Sequence, residues 1–137
     1  MNFQEVNILA VLIAALVSWA IGALWYSPLL FGKKWQHELG MTEESMREAN
    51  MAVIFGLSFV LMFVAVMGLA LLIQGTGEGE KCWSWGLGHG ALTGLFFGAT
   101  AVGINYLYQR RSVALWLIDA GYFVLFMSVS GIILSLW

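Results

Sequence analysis

Long apolar segments alternate with short polar connections along the whole chain. No Asp, Glu, Lys or Arg occurs in 6–32, 49–77 or 82–109, and the last segment contains only one charged residue, Asp119. A helix of about 20 apolar residues crosses the hydrocarbon core of a bilayer. The pattern predicts an all-α fold, a single-domain integral membrane bundle over 1–137 with four transmembrane helices near 7–26, 50–73, 83–106 and 113–135.

A short helix is expected after the first of these spans. Three apolar side chains recur there at four-residue spacing among charged residues, namely Phe31, Trp35 and Leu39. This spacing is typical of an amphipathic helix at a membrane surface. Ser27 is expected to cap its first turn at Pro28, and Gly40 to end it. Thr42 is expected to cap a further helix that runs straight into the second span.

Small residues recur every fourth position in two of the predicted spans. The third span carries Gly86, Gly90, Gly94 and Gly98, and the first carries Ala10, Ala14, Ser18 and Gly22. The fourth span has small residues seven apart, Gly121, Ser128 and Ser135. Helices in lipid associate through close backbone contact, which small residues allow. These residues are therefore predicted to be helix-packing surfaces.

The fourth span is expected to need protein neighbours on two faces. At about 100° per residue, Asp119 lies roughly 160° around the helix from Gly121. A charged side chain avoids lipid, and the small-residue surface needs a packing partner. Because four helices rarely cover both faces of one member, the sequence favours a homo-oligomer or a larger membrane complex as partner, with the lipid bilayer around it.

Composition and charge narrow the class further. Hydrophobic residues make up 61% of the chain and charged residues 10%, whereas soluble domains have about 25% charged residues. The net charge of −2 gives no reason to expect a nucleic-acid partner. Cys82 is the single cysteine, which excludes an intrachain disulfide and a cysteine metal cluster. We expect no metal site and no cofactor.

The basic residues predict the orientation in the membrane. One side holds five of the six, Lys33, Lys34, Arg47, Arg110 and Arg111, and the other holds Lys81. Cytoplasmic loops carry the excess of Lys and Arg. The prediction is a multi-pass protein of a bacterial inner membrane with both termini outside the cytoplasm.

Asp119 is the first candidate for chemistry, because ionisable groups inside a span are rare and often functional. It is either a carboxylate that binds a proton or a cation, or an Asp that is satisfied by hydrogen bonds from Asn105 or Tyr106 at nearly the same depth. Arg111 is a poor partner, since helical side chains lean toward the N-terminus of their helix.

His89 is the second candidate, and Thr93 and Thr100 are expected on the same helix face. A histidine at this position can relay protons or bind a metal or haem. The alternative is a neutral histidine that is hydrogen-bonded to a neighbouring helix through Asn7 or Gln74.

No hydrolytic constellation or phosphate-binding fingerprint occurs in the sequence, and the chain is not expected to be an enzyme. The favoured hypothesis is a non-catalytic membrane protein that acts through helix–helix association, as a homo-oligomer or an accessory subunit. The alternative is a homo-oligomeric proton- or ion-coupled small transporter or channel, with a path along His89, Thr93, Thr100, Asn105 and Asp119. An intramembrane enzyme or cofactor carrier is the third possibility.

Three segments taken together carry a family resemblance: GALWYSPLLFGKKW at 22–35, GINYLYQRRS at 103–112 and IDAGYFVLFMSVSGIILSLW at 118–137. They resemble the small bacterial membrane proteins of the domain-of-unknown-function family 1761. The resemblance implies four spans and no particular activity. It marks Trp25, Tyr26, Ser27, Pro28, Gly32, Asn105, Tyr106, Arg110, Arg111, Gly121 and Tyr122. The chain departs from the family pattern at Gln109, where an acidic residue is expected, and at Asp119, where asparagine is common.

Overall fold

The computed structural model describes residues 3–75 and 82–137. In this part of the chain six α-helices follow one another: α1 (Ile8–Trp25), α2 (Gly32–Leu39), α3 (Glu43–Glu48), α4 (Met51–Gly75), α5 (Trp83–Tyr108) and α6 (Val113–Leu136). Helices α1, α4, α5 and α6 are long and apolar enough to cross a membrane. The predicted all-α class with four such helices is confirmed.

The two ends of the bundle differ in charge. One end, which we call the basic end, holds the segments that join α1 to α4 and α5 to α6. These segments contain five basic residues, Lys33, Lys34, Arg47, Arg110 and Arg111. The opposite end, which we call the terminal end, holds the start of α1 and the end of α6. Lys81 lies outside the described residues. Which end faces the cytoplasm stays a prediction.

The connection from α1 to α2 is a turn, and the predicted helix start at Pro28 is wrong. The carbonyl of Ser27 accepts hydrogen bonds from the amides of Leu30 at 3.1 Å and Gly32 at 3.0 Å, so α2 begins only at Gly32. A Cβ at Gly32 would overlap the carbonyl oxygen of Tyr26. Only glycine fits where the turn folds back on itself. Gly40, with φ of +68°, ends α2 as predicted.

Helix α3 does not run into α4, contrary to the prediction. Thr42 caps α3 in a reciprocal capping box with Ser45. The helix then stops at Ala49, whose backbone is extended. Asn50 starts α4, and its Oδ1 accepts a hydrogen bond from the amide of Val53 at 3.2 Å. Asparagine is a strong N-cap, and this second cap separates the two helices.

Helix α6 lies at the centre of the bundle, with α1 and α5 against it. Ala10, Ala14, Ser18 and Gly22 of α1 are all buried, and the hydroxyl of Ser18 lies 3.0 Å from that of Ser130. On the other side, a Cβ at any of the four α5 glycines spaced four apart from Gly86 to Gly98 would collide with α6, since Gly86 faces Gly131 and Gly98 faces the ring of Phe123. The small residues thus pack helices of the same chain together.

Both faces of α6 are covered within one chain. Gly121 lies against the indole of Trp25, and Asp119 faces hydroxyls from α1 and α5. The premise that one chain cannot cover both faces is therefore wrong, and a homo-oligomer or a larger membrane complex stays a prediction. The helices that cover them are α1 and α5, aided by the turn that follows α1.

Helix α4 packs at the terminal end and stands off at the basic end. Its buried residues all lie in its second half, Val66, Leu69, Ala70 and Ile73. None of the residues from 51 to 65 is buried. A cleft between α4 and the other helices follows from this one-sided packing.

A π-helical turn, Gly94–Ala99, interrupts α5. The indole of Trp116 donates a hydrogen bond to the carbonyl of Ala99 at 2.9 Å. The wider turn rotates the residues after it relative to those before it. Thr93 is therefore half-buried, whereas Thr100 is exposed, and the expectation that they share a face is wrong.

Candidate functional site

The carboxylate of Asp119 joins three segments of the chain. The hydroxyl of Tyr26, just after α1, donates to Oδ1 at 2.7 Å, and the hydroxyl of Tyr106 in α5 donates to Oδ2 at 2.5 Å. Each oxygen of the carboxylate thus has one donor. An ionised carboxylate offers only acceptors, so two hydroxyl donors suit its charged form.

Two further hydrogen bonds fix α1 against α6 beside this group. The indole of Trp25 donates to the carbonyl of Ile118 at 3.1 Å, and the hydroxyl of Tyr122 donates to the carbonyl of Ser18 at 2.9 Å. The Tyr122 ring lies directly over Gly22, where a Cβ would overlap it. This register places Tyr26 opposite Asp119.

Aromatic rings lie around Asp119 and its two tyrosine donors, and we call these rings the aromatic cluster. The ring of Tyr26 contacts that of Tyr122 with centroids 5.3 Å apart and that of Trp35 in α2 at the same centroid distance, both edge to face. The hydroxyl of Ser112, which caps α6, donates to the carboxylate of Glu38 in α2. Helix α2 is thereby held across the basic end, over the aromatic cluster.

Two cavities flank Tyr26 where α4 stands off. The first, which we call the Asp119 cleft, has a volume of about 510 Å³ and is lined by Asp119, Tyr26, Tyr106, Tyr122 and Met62 among others. The second has a volume of about 450 Å³, extends to Trp35, and shares the side chains of Tyr26, Met62 and Tyr122 with the first. Leu61, which is 69% exposed, also lines the Asp119 cleft. The cleft therefore opens to the side of the bundle.

Of the two partners predicted for Asp119, Tyr106 is confirmed and Asn105 is wrong. The amide of Asn105 donates to the carbonyl of Ala101 in its own helix at 3.0 Å, although the residue lines the Asp119 cleft. Sequence reasoning missed Tyr26 as a partner. The available signals were its position at the same end of the bundle as Asp119 and its place in the WYSP motif.

His89 is satisfied by its own helix, so the predicted hydrogen bond to a neighbouring helix is wrong. Its Nδ1 lies 2.9 Å from the carbonyl of Trp85, and the two rings are tilted by 38° with centroids 4.1 Å apart. Asn7 caps α1 instead, accepting from the amides of Leu9 and Ala10. The side-chain oxygen of Gln74 is buried and has no hydrogen-bond partner among residues 3–75 and 82–137.

The predicted polar path is only partly assembled. Thr93 and Thr100 donate to carbonyls one turn back in α5, at 2.8 and 2.5 Å. Of the five path residues, only Asn105 and Asp119 line the Asp119 cleft. Within 3–75 and 82–137, no three His, Cys, Asp or Glu side chains are grouped so that they could hold a metal ion.

The residues that carry the family resemblance converge on this site. Tyr26 and Tyr106 donate to Asp119, Trp25 and Tyr122 hold α1 against α6 beside it, and Gly32 permits the tight turn nearby. Arg110 lies in the turn before α6 with φ of +55°. Comparison with curated proteins and with solved structures gives no match. A family model matches residues 9–135, and the chain therefore belongs to the family described as Protein of unknown function (DUF1761).

Proposed function

We propose that the protein is a small, non-catalytic, multi-pass membrane protein that exchanges a proton for a ligand at Asp119, and so acts as a proton-coupled transporter. The observation that carries the proposal is the position of Asp119. Its carboxylate lies among α1, α5 and α6, at the edge of a cleft that opens toward α4. An ionisable group inside a membrane-spanning segment costs free energy and is typical of transport sites.

The coupling follows from the chemistry of one carboxylate. Asp119 can hold a proton or a donor group of the ligand, but the two compete for the same oxygens. When neither the proton nor the ligand is bound, the hydroxyls of Tyr26 and Tyr106 donate hydrogen bonds to the ionised carboxylate and stabilise it. Binding on one side of the membrane and protonation on the other would then link the two fluxes.

The proposal includes a location. The protein resides in a bacterial inner membrane, with the basic end in the cytoplasm and the termini outside, as the excess of Lys and Arg predicts. The Asp119 cleft then lies in the cytoplasmic half of the bilayer. Ligand enters the cleft sideways past α4.

Uptake into proteoliposomes tests the proposal. Vesicles with a proton gradient are incubated separately with cationic, neutral and anionic small solutes. The uptake of each solute is compared with its uptake by protein-free vesicles. Asp119→Asn, which keeps the size of the side chain, should abolish the uptake of at least one class. His89→Ala is the matched control, because His89 lies toward the terminal end and does not line the cleft. Equal uptake by the wild type and Asp119→Asn in every class contradicts the proposal.

A second candidate function is association with another copy or a larger membrane complex. A Cβ added at Gly56 or Gly68 of α4 would meet no atom of another described segment within 4 Å, and close contact at such residues is how helices associate in lipid. Native mass spectrometry of gently extracted protein tests it. A closed oligomer or a complex that Gly56→Leu dissociates supports association, whereas a monomer in the native membrane extract contradicts it.

A further inference from the structure

The lining of the Asp119 cleft indicates the class of ligand. Resting on the proposed transport function, we infer that the ligand is an organic cation of the ammonium type with apolar substituents. Three properties of the cleft lead to this inference, namely its charge, its aromatic lining and its volume.

The cleft carries a single formal charge, and this charge is negative. Among the described residues that line it, Asp119 is the only acidic one and none is Lys, Arg or His. The two groups that contact its oxygens are neutral phenols. An anionic ligand would be repelled, and a neutral ligand would leave the charge uncompensated. Arg111 lies near Tyr106 but does not line the cleft, so inside the cleft a cation supplies the opposite charge.

Aromatic rings make up much of the remaining wall. Five of the lining residues are aromatic, Tyr26, Tyr106, Tyr122, Phe123 and Phe126. The faces of such rings attract cations, and sites for quaternary ammonium groups are commonly built from them. The same rings offer apolar surface to the substituents of the ligand.

The volume and the set of donors favour an organic cation over a metal ion. A cavity of about 510 Å³ falls within the range of about 300–1,000 Å³ that small organic ligands occupy. A hard metal ion requires about six or more oxygen ligands, typically from several carboxylates. Here one carboxylate stands among phenols, amides and apolar side chains.

Binding of tetraphenylphosphonium tests the inference directly. The full chain is placed in nanodiscs of phosphatidylglycerol, and the bound cation is measured by equilibrium dialysis against nanodiscs without protein. We expect saturable binding at one site, weakened about tenfold or more in Asp119→Asn. Tetraphenylborate, an anion of the same shape, is the control and should not bind saturably. Binding of this anion as tight as that of the cation, or no loss in Asp119→Asn, overturns the inference.

A pair of variants separates the ring from its hydroxyl. Tyr122→Phe keeps the aromatic ring but loses the hydrogen bond to the carbonyl of Ser18, so its affinity for tetraphenylphosphonium should fall less than that of Tyr122→Leu. Equal affinity in both variants contradicts the role of the ring. The comparison of the two ions needs no substitution, so the inference remains testable even if Tyr122→Leu does not fold.

An ammonium group can come from a free solute or from a lipid headgroup, and the lipid composition distinguishes them. Phosphatidylethanolamine carries an ammonium group and phosphatidylglycerol does not. Weaker apparent binding of tetraphenylphosphonium in nanodiscs that contain phosphatidylethanolamine identifies the lipid as the ligand. Unchanged binding identifies a free cation.

The failure of this inference can be told apart from failure of the transport function. If uptake that depends on Asp119 occurs with neutral or anionic solutes and tetraphenylphosphonium does not bind, the cation inference is wrong and the transport proposal stands. If no solute class shows uptake that depends on Asp119 but the cation binds, the transport proposal is wrong.

Discussion

The hydroxyl of Tyr26 lies 2.7 Å from Oδ1 of Asp119, although 93 positions separate the two residues in the chain. The contact requires α1 and α6 to pack in one register, which the small residues Ser18 and Gly22 allow. The architecture and the candidate site are thus linked. The same close helix packing that holds α1 on α6 also delivers a hydroxyl donor to the carboxylate.

Removal of the Tyr26 hydroxyl should destabilise the bundle. Tyr26→Phe leaves one oxygen of Asp119 without its donor, and a hydrogen bond to a charged group contributes about 1.5–3 kcal/mol. We expect a lower free energy of unfolding in detergent. Tyr108→Phe is the matched control, because Tyr108 is 88% exposed.

A double-mutant cycle tests whether the effect passes through Asp119. The loss in Tyr26→Phe should shrink in an Asp119→Asn background, with a coupling energy of about 0.5–3 kcal/mol. Strictly additive losses would show that Tyr26 acts through some other contact.

Substitution of a glycine in α5 should matter only where the glycine faces α6. A Cβ at Gly86 would collide with the carbonyl of Gly131, whereas a Cβ at Gly88 would meet no atom of another described segment within 4 Å. Gly86→Ala should therefore lower the free energy of unfolding by about 1–3 kcal/mol, the usual effect of overpacking. Gly88→Ala lies on the same helix and should be neutral or slightly stabilising, since alanine favours the helix. Equal effects of the two substitutions would contradict the packing of α5 on α6.

The π-helical turn in α5 should depend on Trp116. Its indole donates to the carbonyl of Ala99, which is nearly buried. Trp116→Phe removes the donor and keeps an aromatic ring, and we expect a loss of about 0.5–1.5 kcal/mol, the usual net contribution of one hydrogen bond. Trp83→Phe, at a position 58% exposed, is the control. Thermal unfolding that is unchanged in Trp116→Phe would show that the turn does not need this donor.

The sequence predicts those parts of the fold that local patterns determine. Apolar segments with at most one charged residue determine the four long helices, and their bounds differ from the prediction by at most two residues. Gly40 and Thr42 act locally and were identified as a helix end and a cap. The break at Ala49 was missed because an asparagine cap competes with a continuous helical pattern, and only the structure shows which prevails.

The candidate site could be predicted only in part. Asp119 and Tyr106 face each other across the short turn between α5 and α6, so helix geometry brings them together. Tyr26 and the cleft depend on how α1 and α4 pack over long distances in the chain. The π-helical turn rotates the residues after Thr93 about the helix axis. Thr100 therefore does not lie where the regular helical period predicts it, and the predicted path does not pass through it.

The orientation predicted from the basic residues can be tested by cysteine labelling. In a Cys82→Ser background, Lys34→Cys places a thiol at the basic end, and Ser84→Cys places one at the exposed start of α5 near the terminal end. With the basic end in the cytoplasm, an impermeant maleimide should label Ser84→Cys in intact cells whose outer membrane is permeabilised. It should label Lys34→Cys only in inverted vesicles. Each variant serves as the control for the other, because both thiols are labelled once detergent is added. The opposite pattern would reverse the predicted orientation and move the Asp119 cleft to the outer half of the bilayer, where a cationic ligand would enter from outside the cell.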